Sequence, residues 1–132
     1  MRWIFLLMVM AATSQSALAA DEQGMFMTGG GMGSVSCPEL VDGMALVRQR
    51  GGIKSPQGVQ VTNEFKQYVR GFRTGYNMAA PKVSDAFASL GDDVVAKSIV
   101  FIDNWCTKHP EATFDLGLLE LVKTLKDNAK SN

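Results

Sequence analysis

The chain has 132 residues with 13 basic and 13 acidic side chains and a single histidine, so its formal charge is zero. A neutral balance lacks the basic excess by which nucleic acid or an anionic membrane surface is attracted. One histidine and two cysteines offer at most three such ligands, short of the four of a structural zinc site, and the C-x-x-C of thiol exchange and the C-x-x-C-H of haem attachment are both missing.

Residues 1–19 have the three parts of a secretory signal peptide. Arg2 is the positive end, residues 3–12 (WIFLLMVMAA) are an apolar run, and Ala17-Leu18-Ala19 is a small-residue cleavage site. The run is about half the roughly 20 residues that a spanning helix needs. The pattern predicts export to the periplasm or the medium with cleavage after Ala19. No cysteine follows that site to take a lipid anchor.

Residues 20–35 predict a flexible arm, because glycine at positions 29, 30, 31 and 33 is costly to order and little there can be buried in return. Met25, Met27 and Met32 are soft thioethers of the kind that bind Cu(I). A plain tether is the simpler expectation. A helical domain over 36–127 and a frayed tail over 128–132 complete the expected organisation.

The first helix is expected to open at Ser36-Cys37-Pro38-Glu39, where Ser36 and Glu39 have capping-box spacing and the proline falls in the first turn, which tolerates its missing N–H. Cys37, Leu40, Val41, Met44 and Val47 then recur at helical spacing, and Gly51-Gly52 ends the element. Pro56 and Gly58 suggest a loop over 53–60. The second helix, from Val61 to Ala79, has apolar residues at 61, 65, 68, 69, 72, 76 and 79, and Pro81 stops it. Gly71 and Gly75 would each cost up to about 1 kcal/mol there relative to alanine, so close approach of another backbone is expected. Arg70, Arg73 and Asn77 share a face that can meet solvent or a partner.

A short helix over 84–90, capped by Ser84, should turn Ala86, Phe87 and Leu90 inward. Asp92 and Asp93 suit the positive end of a third long helix, whose stripe of Val95, Ile99, Ile102 and Cys106, widened by Val94, Phe101 and Trp105, marks it as central. Pro110 ends it. A last helix over 113–126 carries Phe114, Leu118, Leu121, Val122 and Leu125. No stretch alternates with period two, so the fold class is an all-α bundle of four to five helices without a sheet. Cys37 and Cys106 both fall on inward stripes, and in an oxidising compartment they are expected to be bonded. Closing a loop of about 70 residues is worth roughly 4 kcal/mol in the chain-entropy account.

Chemistry is harder to find. Cys106 and His109 form C-x-x-H, which resembles a thiolate and base, but export favours the disulfide and leaves His109 a polar role at a helix end. No G-x-S-x-G surrounds a serine, Gly71-Phe72-Arg73-Thr74-Gly75 lacks the lysine and glycine pattern of a phosphate loop, the adjacent Asp92 and Asp93 are explained by a helix start, and a small helical domain leaves little room for the cleft that glycoside hydrolysis by Glu64 or Glu111 would need. These readings predict a protein that is not an enzyme and carries no cofactor.

Ser36-Cys37 opening the first helix, the Tyr68-Val69-Arg70-Gly71-Phe72-Arg73-Thr74-Gly75-Tyr76-Asn77 segment of the second, and Trp105-Cys106-Thr107-Lys108-His109-Pro110 before the last together cover the layout of residues 35–126. That layout resembles the Tai-type immunity proteins of type VI secretion and, more weakly, the HdeA-type periplasmic acid chaperones. The first resemblance implies a periplasmic, homodimeric binder of a toxic effector, with Arg70, Arg73, Asn77, Lys108 and His109 offered as contacts on grounds of exposure. The second implies a dimer that acid dissociates to expose apolar surface to client proteins.

Overall fold

The structure, a computed structural model, describes residues 30–130. The expected signal peptide lies outside the described residues, as do Met25 and Met27. Four helices form the bundle: α1 Cys37–Gln49, α2 Pro56–Ala79, α3 Val94–Cys106 and α4 Phe114–Lys130. Helix α3 packs against each of the other three, as its broad apolar surface requires. Ser98, Ile99, Ile102, Asp103 and Cys106 are buried, and only the Lys97, Val100 and Asn104 stripe is exposed.

Ser36 caps α1, accepting a hydrogen bond from the Glu39 N–H at 3.4 Å. Cys37, the first residue of α1, is bonded to Cys106, the last residue of α3, across a Cα–Cα distance of 4.8 Å. Beside this bond the chain entering α1 meets the chain entering α4. The Cys37 N–H donates to the Ala112 carbonyl and the Phe114 N–H to the Val35 carbonyl, both at 2.9 Å, with Ser36 opposite Thr113 in an antiparallel bridge. The disulfide and two backbone hydrogen bonds thus hold three helix ends at one corner. Phe114 extends the corner inward, with its ring 4.8 Å from that of Phe65 and edge-on to Tyr68.

Several expectations need correction. Helix α2 begins at Pro56, five residues before Val61, because Ser55 caps it by accepting from the Gly58 N–H at 3.0 Å and Pro56 occupies the first turn. Gly58 is required rather than disruptive, since a Cβ there would overlap the Gly52 carbonyl. The inward residues of this first part are Gly58 and Thr62, while Val61 is exposed. Gly71 and Gly75 admit no close backbone: a Cβ on either would meet nothing within 4 Å.

The segment expected as a helix over 84–90 is a loop with one 3-10 turn, Ala88–Leu90. Its purpose is to seat Phe87, which is fully buried and edge-on to Phe72 at 6.4 Å. From residue 30 the glycine arm is folded, with a 3-10 turn at Gly31–Ser34 in which Gly33 lies under the Tyr68 ring and leaves no room for a side chain. Helix α4 continues to Lys130, so positions 128–130 are helical rather than frayed.

Candidate functional site

Where α2 and α3 diverge, an open groove of about 610 Å³ is left on the surface. Its apolar floor comes from Ile53 after α1, Val59 on α2, and Val94, Val95 and Ala96 in the first turn of α3. Lys54, Lys66, Arg70 and Arg73 line it as well, against one acidic residue, Asp93. The neutral overall composition therefore conceals a local basic wall. Lys66, Arg70 and Arg73 stand at i, i+4 and i+7 on α2, the spacing that brings residues to one helix face.

These cations are not equivalent. Lys54 donates to the Asp93 carboxylate at 2.5 Å, which raises the lysine pKa and lowers that of the aspartate. Asp93 has left-handed backbone, φ 61°, and its side chain does not cap α3. With that carboxylate turned to Lys54, α3 begins without a side-chain cap. Lys97, one turn into α3, is drawn off to the Leu90 carbonyl at 2.5 Å.

Arg73 is committed in another way. Its guanidinium makes a two-pronged contact with Asp85, with Nε 3.0 Å from Oδ1 and Nη2 on Oδ2. Asn77 donates to the same Oδ1 at 3.0 Å while its own carbonyl accepts from the Ala86 N–H at 2.9 Å, and the Phe87 N–H donates to Oδ1 at 3.1 Å. Chiefly through the Arg73 hydrogen bond, and further through Asn77 and the Phe87 N–H, the Asp85 carboxyl is held at about 2. Arg73 is raised correspondingly. The clamp fastens the 80s loop to α2 and holds Phe87 in the core.

Lys66 is half-buried and Arg70 exposed, and neither side chain has a hydrogen-bond or ion-pair partner among the described residues. Of the contacts expected from the sequence, then, Arg70 and Arg73 come together in the groove, and Asn77 holds the loop beyond it. Lys108 and His109 follow the opposite end of α3, about 20 Å away at 1.5 Å per residue. There the His109 ring stacks on Trp105 at 4.3 Å, and its Nδ1 lies 3.6 Å from the Glu111 carboxylate. Met32, the third of the proposed copper thioethers, is half-buried in the 3-10 turn. Among the described residues no three His, Cys, Asp or Glu side chains converge as metal ligands.

Sequence reading missed Lys54 and Lys66. Lys66 was signalled by its i, i+4, i+7 relation to Arg70 and Arg73. Lys54 had no such signal, because it reaches the groove from a loop. Asp103 was missed too: it is buried on α3, its Oδ2 meets Arg48 from α1, and its Oδ1 has no hydrogen-bond partner among the described residues. Compared with protein-family models, curated proteins and solved structures, the chain matches none.

Proposed function

We propose that the chain is exported and works as a protein-binding module of the immunity or inhibitor kind, occupying a secreted effector. The disulfide supports the compartment, since such bonds persist where the surroundings are oxidising, and no helix among the described residues is long and apolar enough to cross a membrane. The groove carries the reading of function. It sets two cations, without an anion among the described residues, beside an aliphatic floor, an arrangement suited to recognition.

The decisive experiment is to purify secreted hydrolases encoded beside the gene and titrate each with the disulfide-bonded chain. A stoichiometric complex of nanomolar to micromolar affinity that abolishes hydrolase activity is the expected result. Absence of a complex with every neighbouring product would overturn the reading.

A further inference from the structure

Lys66 and Arg70 stand four residues apart on α2 and share one groove wall. Like charges at this spacing repel by a few tenths of a kcal/mol on an exposed helix. The chain relieves the neighbouring cations, with Asp85 for Arg73 and Asp93 for Lys54. It provides no anion for these two among the described residues. The floor beside them is aliphatic, with Val59 still 43% exposed. A small inorganic anion would leave that floor unused, and a purely apolar ligand would leave the cations unpaired.

We infer that the groove takes an acidic helical segment of the partner protein, with two carboxylates one turn apart and an aliphatic residue on the same face. The carboxylates meet Lys66 and Arg70 pair for pair, because residues four apart on any helix have the same spacing of about 5–6 Å. The aliphatic anchor covers Val59, Val94 and Val95, in the manner of helices that seat apolar residues in a groove. This inference rests on the protein-binding function proposed above and assigns its contact surface.

The probe is an amidated, alanine-based helical peptide with two glutamates four residues apart and a leucine on the same face, titrated into isotope-labelled, disulfide-bonded protein at low salt. Amide shifts concentrated at Val59, Lys66, Arg70, Val94 and Val95 are expected. Affinity should fall about tenfold or more in the Lys66→Gln/Arg70→Gln variant and with a Glu→Gln peptide. Lys82→Glu, which removes the same two units of charge outside the groove, should change it less than about threefold.

Shifts elsewhere, an undiminished affinity in the double variant, or an equal loss in Lys82→Glu would overturn the inference. So would groove shifts produced by phosphatidylglycerol vesicles but not by the peptide. If a neighbouring effector binds wild type and the double variant equally, protein binding stands and the groove assignment falls. If the peptide occupies the groove but no effector binds, the assignment of the groove stands and the immunity function falls.

Discussion

Two successive turns of one helix, α2, treat their charges in opposite ways. At its C-terminal end Arg73 and Asn77 converge on Asp85, whose carboxylate also takes a backbone N–H, so the polar groups of that turn are joined in one network. One turn earlier Lys66 and Arg70 occupy the same face without an anion among the described residues. The paired turn closes a loop and keeps Phe87 in the core. The unpaired turn borders an open groove. A stripe of similar side chains is thus divided between holding the fold and facing outward, and the division is set by whether a loop brings an anion to it.

Breaking the paired turn should have the largest effect. Asp85→Asn is expected to lower stability by about 1–2 kcal/mol at neutral pH, a value reduced for the partial exposure of both partners. The effect has a definite pH dependence. Asp85 titrates at about 2 in the fold and near its ordinary 3.8 when unfolded, so the unfolded chain takes up the proton first as pH falls. The contribution is complete above about pH 5, declines as pH falls through both values and is gone by about pH 1. Urea titrations between pH 2 and 7 should show wild type and variant converging at the acid end. Parallel curves would show that the carboxylate charge is not what clamps the loop.

A smaller effect tests the openness of the face between these turns. Gly71→Ala should stabilise the protein by up to about 1 kcal/mol, because the new methyl group meets nothing and the helix gains a better former. Thermal denaturation will measure it, and a loss of stability would mean that α2 is packed there after all. The smallest change belongs to the unpaired turn. Lys66→Gln/Arg70→Gln should leave stability unaltered or raise it by a few tenths of a kcal/mol, by removing a like-charge pair. A loss of 1 kcal/mol or more in urea unfolding would show that these cations serve the fold, and the contrast with Arg73 would disappear.

The helical framework was legible to a useful depth. Apolar periodicity located the four long helices and the central position of α3, and Ser36-Cys37-Pro38-Glu39 marked its helix start correctly. The same chemistry at Ser55-Pro56 was read as a loop because Gly58 follows. Only the approach of the Gly52 carbonyl explains why a helix should carry glycine there. Gly71 and Gly75 misled in the other direction, since their cost in helix propensity has no compensating close contact in the structure. At the candidate site, Arg70 and Arg73 were legible as one face, whereas Lys54 and Asp93 reach it from segments whose path is not written in any local pattern.

What the sequence determined by itself is what near neighbours encode: helix periods, caps and stops, and the inward facing of Cys37 and Cys106, which bond in the structure. Tertiary structure decided which charges are used up. Arg70 and Arg73 are three residues apart and chemically alike, yet Asp85 reaches only Arg73, by way of a loop whose course depends on seating Phe87 against Phe72. Helical spacing extends over a few residues and can be read from the chain. The pairing of a charge depends on where a distant segment packs, and that is settled only when the core closes.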